Sequence, residues 1–410
     1  MSPNLPSFGE ASATVARYAA ALLEPSPRSE SVPLEAGLGR ILAQSLHADR
    51  DMPSFPRSTR DGFACRAAEA SAHKWLSVKG LLRAGDPPGK PLAPGAACEI
   101  MTGAAVPEGA DAVAMLEHVD QAEGRLRLAA NRKLEPGDNV VPTGAEARAG
   151  DTLIRPGVRI GPTHIAAAAS CGYANLEVFP RPRVAILTTG DELVPVASTP
   201  GPGKIRNSNA PMLAALVAHA GGDPWVLPAS RDDSAVIEAA LRQALEADML
   251  LISGGVSAGK FDLVEPALAQ LNARFFFTGV RIQPGKPLVF GELPRRNRAL
   301  PFFGLPGNPI SSAATFLLFA AQVLAALSGS RSPVPRFSVA RLSRSVKGKP
   351  SLTRFVPSTT TIAEGLPEVA PVGSQGSGDL ASFARADCFV MVPEGAEKLA
   401  AGEEARILPI

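Results

Sequence analysis

The sequence predicts a multidomain α/β plus β protein: a doubly wound, mostly parallel middle domain, a β-rich inserted domain and a small C-terminal β domain. Three observations predict it. The 410 residues exceed what one hydrophobic core ordinarily serves. Between residues 181 and 332, apolar runs of strand and helix character alternate. On either side, short alternating runs broken by Gly and Pro replace that pattern.

Residues 10 to 46 are expected to be helical. "ASATVARYAAALL" and "LEAGLGRILAQSL" carry apolar residues at three- and four-residue spacing, with Pro33 near the second start. From Ala48 to about residue 140, runs such as "KWLSVKGLL", "ACEIMTG" and "DAVAMLEHV" alternate with turns and suggest the inserted β domain. "GVRIGPTHIAAAASCGYANLEV" then returns to a helix and turn. The expected division is therefore 8–47 with 141–180 as a discontinuous helical and linker domain, 48–140 as the insert, 181–332 as the α/β domain and 333–410 as the C-terminal β domain.

In the middle domain "RVAILTTG", "DPWVLPA", "DMLLISGG" and "LPFFGLPG" are expected strands. "APMLAALVAHAGG", "SAVIEAALRQALE" and "LVEPALAQL" are the intervening helices. Strands and helices alternating in this way argue for a parallel sheet covered on both faces. "SSAATFLLFAAQVLAALSG" is long and apolar, yet it starts after Pro309, stops at Gly329 and is rich in Ala, so a buried globular helix is expected rather than a membrane span. "RFSVARLSR" and "DCFVMVPEG" mark the final β domain.

The 41 basic and 39 acidic residues nearly cancel, which gives no general case for nucleic acid or an anionic membrane. The two Trp and two Tyr argue against base-stacking platforms. The start, "MSPNLPSFGEASATVARYAA", lacks a basic flank followed by an apolar core, so no export signal is expected. Cys65, Cys98, Cys171 and Cys388 are scattered without metal-ligand pairing, and structural thiols in a reducing cytoplasm are expected.

Three middle-domain loops follow expected strands: "TTGDEL", "SGGVSAG" and "GLPGNPISS". Ligands of open α/β sheets settle beyond the carboxyl ends of the strands, so the three loops should line one crevice. Gly254 and Gly255 permit close backbone approach, and the Ser257 hydroxyl is a donor. Gly307, Asn308 and Pro309 turn sharply into a helix whose amides suit a phosphate. Asp191, Glu192 and Asp248 add carboxylates suited to a hard cation such as Mg²⁺. Each element alone is weak: SGG is commonly just a turn, and an Asp opening a strand is commonly a solvated turn residue. Gly254 to Lys260 also spells most of a P-loop, but Phe261 stands where Ser or Thr must hold the metal.

Taken in order, "STRDGFA" (Ser58–Ala64), "EIMTGAAVPEGADAVAMLEHV", "LTTGDELV", "LISGGVSAGKFD", "QPGKPLVFGEL", "GLPGNPISS" and "GSQGSGDLASFARADCFVMV" resemble the molybdopterin molybdenumtransferases, the MoeA family that includes the E domain of gephyrin. The likeness runs over almost the whole chain. It implies a MogA-like middle domain and insertion of molybdenum from molybdate into adenylylated molybdopterin, with release of AMP. It further implies Mg²⁺ or Zn²⁺ and a homodimer whose cleft lies between the middle domain of one subunit and the insert of the other. A molybdopterin adenylyltransferase and molybdoenzyme clients are the implied partners.

By the same resemblance, Asp61 helps position metal or molybdate, and Thr102 with Gly103 donates to an oxyanion. Asp191 and Glu192 hold the cation, and Asp248 matches an acidic position before the SGG loop. Lys286 supplies positive charge near phosphate or molybdate, and Asn308 and Ser374 contact pterin or phosphate. Phe63, Arg60, Asn207 and the run Val141-Pro142-Thr143 depart from the family pattern; the last stands where many relatives have arginines, whose bidentate contact Val or Thr cannot supply. A non-catalytic, pterin-binding scaffold is the alternative these departures leave open.

Overall fold

The computed structural model describes residues 5–23, 28–255, 263–296, 298–331 and 335–410. The first helix, Phe8–Leu22, opens with a capping box. Ser7 Oγ accepts the Glu10 amide at 3.2 Å, and the Glu10 carboxylate accepts the Ser7 amide at 2.8 Å. Such a cap stabilises a helix start by about 1 kcal/mol. Its buried stripe of Ala11, Val15, Ala19 and Leu22 packs into the same core as Val323, Leu324 and Leu327 of the long Ala-rich helix.

The second expected helix does not form. Residues Glu30–Pro33 are a strand paired antiparallel with Asn175–Val178, followed by a single 3-10 turn at Leu34–Gly37. Gly37 lies against Leu176: a Cβ there would come within 2.9 Å of the leucine methyl. Two glycines in five residues weaken a helix by about 1 kcal/mol each, and Leu42 and Leu46 find their burial against Ile154, Ile160 and Leu176 instead. The helical spacing of these leucines was real, but tertiary pairing overrode it.

The middle domain is a six-stranded sheet in the order Asp223–Val226, Arg183–Thr188, Met249–Ser253, Leu300–Leu305, Val289–Leu293, Arg274–Thr278. The first four strands run parallel, and the last two are antiparallel additions at one edge. Alternate side chains serve opposite faces, as the two-residue strand period requires. Val184, Ile186, Met249 and Leu251 join the core shared with helices Phe8–Leu22, Asn209–His219 and Pro309–Leu327. Ala185, Leu187, Leu250 and Ile252 join the opposite core under helices Ser234–Ala244 and Val264–Gln270. The sheet is therefore doubly wound, and the order in which its parallel strands are added reverses between Arg183–Thr188 and Met249–Ser253.

The helix Pro309–Leu327 contains a π-helical stretch at Phe316–Ala320. By length and composition it passes the test for a membrane span, but 89% of its apolar window is buried inside the protein. It is a core helix.

The insert is a second six-stranded sheet, ordered Ala112–Met115, Gly62–Cys65, Ala96–Ile100, Leu76–Leu82, Arg125–Leu128, Val119–Ala122. Short paired strands, Leu46–His47 with Thr152–Ile154 and Arg57–Ser58 with Val140–Val141, carry the chain into and out of it. At the C-terminus, Thr353–Ala363 pairs with both Leu366–Pro371 and Cys388–Val392. With Ser338–Leu342 and Glu404–Pro409 completing the circuit, these strands close into a small barrel.

Candidate active site

The crevice lies at the carboxyl ends of three adjacent parallel strands, where sheet topology puts it. Their following turns are tied by backbone bonds: Thr189 N–H to the Ser253 carbonyl at 3.0 Å, and Gly254 N–H to the Leu305 carbonyl at 3.2 Å. Gly254 has φ +96°, and a Cβ would sit 2.4 Å from the Thr189 carbonyl oxygen. Only glycine fits that turn. Gly307 approaches from the other side, its virtual Cβ 3.7 Å from Gly254 Cα. The result is a cleft of about 930 Å³ lined by Glu192, Gly254, Gly255, Gly307, Asn308 and Pro309, among others.

Two asparagines hold this cleft open from below. Asn207 Nδ2 donates to Thr188 Oγ1 at 2.8 Å, while its Oδ1 accepts the Ala210 amide at 3.1 Å. Asn209 Nδ2 donates to Ser253 Oγ at 2.8 Å and to the Gly307 carbonyl at 2.7 Å. A carbonyl only accepts, so that contact settles which end of the amide is nitrogen. Among the described residues, the Asn209 Oδ1 that remains is buried and without a partner, as is Thr189 Oγ1, also lining the crevice. Lys204 and Arg206 bring positive charge to the rim, the Lys204 ammonium donating to the Asp191 carbonyl at 2.7 Å.

A second cleft of about 470 Å³ opens between the middle domain and the C-terminal barrel. Lys286, Arg354, Ser374 and Ser377 line it, and Pro287, Pro306 and Asn308 belong to the walls of both clefts. Among the described residues, Arg354 Nε is buried without a partner. Asn308 Nδ2 donates to Ser377 Oγ at 2.9 Å, and the Ser377 carbonyl takes the Ile310 amide at 3.1 Å. One amide at the start of the long helix is thus already engaged by protein rather than open to a phosphate.

Asp61 and Thr102 form a third unit on the insert. Asp61 Oδ1 accepts both the Thr102 amide at 2.7 Å and the Thr102 hydroxyl at 2.8 Å. These two donors, the amide first, hold the Asp61 carboxyl below its ordinary range. Gly62 next to it is obligatory, because a Cβ there would fall 2.1 Å from the Ala114 carbonyl oxygen. Neither Asp61 nor Thr102 lines either cleft of its own chain.

The residues singled out in the sequence divide accordingly. Glu192, Gly254, Gly255, Gly307, Asn308 and Pro309 meet in the first cleft, and Lys286 and Ser374 meet Asn308 in the second. Asp191 sits at the first cleft's edge, engaged with Asp232: its carboxylate accepts the Asp232 amide at 3.2 Å, and its own amide reaches the Asp232 carboxylate at 3.4 Å. Asp248 is not brought to the site. It precedes strand Met249–Ser253 at the amino end, the far edge of the sheet from Gly254, and its carboxylate accepts the Arg183 amide at 2.8 Å. Adjacency in sequence to the glycine turn concealed a full strand length between them. Ser257 and Lys260 lie outside the described residues.

Asn209, Lys204, Arg206, Asp232 and Arg354 were missed. The polar triplet Asn207-Ser208-Asn209 at the start of a helix was the available signal for the first. The others are ordinary charged residues until the fold gathers them.

Comparison with known proteins agrees with this architecture. Three family models match in order: the MoeA N-terminal region (domains I and II) over residues 7–172, a probable molybdopterin binding domain over 185–326, and the MoeA C-terminal region (domain IV) over 339–410. A protein named molybdopterin molybdenumtransferase from Bacillus subtilis is 36% identical over 390 residues, covering 93% of this chain and 90% of the relative. One of the same name from Nostoc is 32% identical over 396 residues, covering 95% and 90%. Two solved structures of molybdopterin biosynthesis MoeA proteins from Pyrococcus horikoshii superpose with TM-scores of 0.75 and 0.80 at 32% and 27% identity, over 99% of this chain and 99% and 100% of theirs. The chain belongs to the MoeA family of molybdopterin molybdenumtransferases.

Proposed function

We propose that this protein is the transferase that inserts molybdenum from molybdate into adenylylated molybdopterin, releasing AMP. The observation that carries the reading is the wall of Pro287, Pro306 and Asn308, common to a large cleft and a smaller cationic one. Two reactants, one large and one a small oxyanion, can then meet across a single partition. Family membership supplies the reaction class.

The first cleft seats the adenylylated pterin. Its glycine turns let the backbone approach the anhydride, and Lys204 and Arg206 face negative charge. The second cleft takes molybdate. Lys286 and Arg354 offset its charge, and Ser374 offers a hydroxyl. Bringing two anions together costs repulsion, and fixed cations and donors in a water-poor cleft lower that cost. Removing one such group typically loses ~10²–10³ in rate.

Asp61 and Thr102 act from the insert of a second copy of the chain, since neither lines a cleft of its own. Phe55 is 42% exposed and Leu116 37%, apolar surface on the two chain segments flanking Asp61 and consistent with contact to a partner. A homodimer is therefore part of this reading.

Among the described residues no three His, Cys, Asp or Glu side chains converge. The candidate donors, all carboxylates, suit Mg²⁺, which takes hard oxygen ligands, better than Zn²⁺, whose sites are commonly built from His and Cys. Glu192 and Asp191 would hold it, with Asp61 contributed by the second copy. When bound, a hard cation neutralises phosphate and oxyanion charge. Everything else falls to the chain: the glycine turns orient the pterin ligand, and Lys286 holds the oxyanion.

The test is to supply the purified protein with adenylylated molybdopterin, molybdate and Mg²⁺ and to measure AMP release and cofactor formation. Stoichiometric AMP and cofactor are expected, both lost on chelation. Tight binding of the pterin without AMP release would replace the enzyme by a pterin-binding scaffold.

A further inference from the structure

We propose that Asp379 is a positioning residue for the oxyanion cleft, holding the Ser374–Gly378 loop and, through it, Asn308 in the wall the two clefts share. The inference rests on the reading of the second cleft as the oxyanion site. Asp379 itself lines neither cleft, but its neighbours line both: Ser374, Gly376 and Ser377 face the second, and Gly378 and Leu380 the first.

Little packing holds this loop. Gly373, Ser374, Gln375, Gly376 and Gly378 are all exposed. A glycine-rich, exposed segment loses much conformational entropy on ordering, so hydrogen bonds must fix it. Asp379 supplies the anchor. Its Oδ2 accepts the Gln375 amide at 3.0 Å and the Ser382 hydroxyl at 2.6 Å, and its Oδ1 accepts the Ser382 amide at 3.0 Å. Ser374 Oγ closes the turn by accepting the Gly376 amide at 3.1 Å and donating to the Gly376 carbonyl at 2.9 Å. From the far side of the loop, Ser377 receives Asn308 Nδ2 on its hydroxyl and the Ile310 amide on its carbonyl. A continuous set of bonds thus runs from Asp379 through the loop to Asn308.

The carboxyl of Asp379 is held down to about 2, first by the Ser382 hydroxyl and then by the Gln375 and Ser382 amides. It is an anion under all working conditions, and charge-assisted bonds of this kind are the stronger ones. A carboxylate beside a cleft for anions would be a liability if it faced the ligand. Here its acceptor capacity is spent on the Gln375 amide of the loop and on the Ser382 amide and hydroxyl of the following helix, so its contribution is geometric.

Two substitutions separate this role from simple helix capping. Asp379→Asn keeps an oxygen for the Ser382 amide, and Asn caps helices as well as Asp. Its Nδ2, however, would face the Gln375 amide, donor against donor. Ser382→Ala removes only the hydroxyl and leaves the Gln375 anchor. Molybdate affinity of the full-length chain is measured by titration calorimetry, and KM for molybdate, kcat and Tm are measured alongside, for both variants and for Lys286→Ala.

Asp379→Asn is expected to raise the molybdate Kd and KM roughly tenfold, with kcat at saturating molybdate close to the unsubstituted protein and only a small fall in Tm from the lost carboxylate. Ser382→Ala is expected to leave Kd and KM unchanged. Unchanged Kd in Asp379→Asn, alongside weakened binding in Lys286→Ala, overturns the inference and leaves the oxyanion reading standing. A fall in Tm that accounts for the loss of both kcat and affinity also overturns it, because the role is then merely structural. If Lys286→Ala binds molybdate normally, the oxyanion reading itself falls and this inference with it.

Discussion

Asn209 Nδ2 stands 2.7 Å from the carbonyl oxygen of Gly307, and the same nitrogen reaches Ser253 Oγ at 2.8 Å. One amide, on the first turn of a helix, thereby joins the ends of two parallel strands and sets the spacing of the turns that line the first cleft. Removing it leaves the Gly307 carbonyl and Ser253 hydroxyl without that donor. Asn209→Ala is expected to cost about 1–3 kcal/mol of stability, read from the urea midpoint, together with weaker binding of the adenylylated pterin. Asn209→Asp should do no better, since a carboxylate cannot donate to a carbonyl.

The Asp61–Thr102 pair predicts a functional loss without a folding loss. Asp61 is exposed, and among the described residues its carboxylate bonds only to Thr102 on a neighbouring loop. Asp61→Ala should retain its circular-dichroism spectrum and Tm while AMP release falls by ~10²–10³. Thr102→Val should lose the hydroxyl bond but keep the amide bond, and lose less activity than Asp61→Ala.

Asp248 and Glu192 make a matched contrast. Both are acidic and both stand near a cleft turn in sequence, yet only Glu192 lines the cleft. Asp248→Ala should leave molybdenum insertion unchanged and cost at most ~1 kcal/mol for the lost bond to the Arg183 amide. Glu192→Gln should lower insertion strongly and raise the Mg²⁺ concentration needed for half-maximal rate.

The acid limb of stability should carry the mark of Asp379. Its carboxyl is depressed from 3.8 to about 2 in the folded protein. A depressed carboxyl contributes stability that is fully present above the unfolded value and lost as pH falls through the folded one. The stability difference between the unsubstituted protein and Asp379→Ala, measured by denaturation at each pH, should be constant above about pH 5 and shrink as pH drops from 3.8 toward 2.

All four cysteines are free and buried. Burial is the largest cause that pushes the Cys65 and Cys388 thiols up to about 12, which leaves almost no thiolate near neutrality. A thiol reagent at pH 8 should label the native protein slowly and all four cysteines once it is unfolded. Rapid labelling of Cys65 or Cys388 in the native state would contradict the packing described.

Much of the fold could be read directly. Met249–Ser253 is a wholly buried strand, and its first four residues read as an uninterrupted apolar run. Pro309–Leu327 reads as a buried helix, because Ala-rich surfaces pack against neighbours on every side. The failure at Leu34–Leu46 has the same origin as these successes. Leucines at helical spacing also suit a winding segment whose neighbours lie far along the chain, and local periodicity does not distinguish the two. The glycine turns were found because close backbone approach demands a particular residue type. Asn209, Arg354 and Asp379 were not, because their roles depend on which distant carbonyl, cleft or loop they meet.

By itself the amino-acid order determined the family, the alternation of strand and helix in the middle domain, and the turns that only glycine can make, since each is written in local residue types and spacing. Tertiary structure alone decided that Asp248 stands a strand length from the cleft while Asn308 belongs to two clefts at once. The physical reason is that a strand carries its two ends to opposite edges of the sheet, whereas the loops of separate strands and domains converge at one edge.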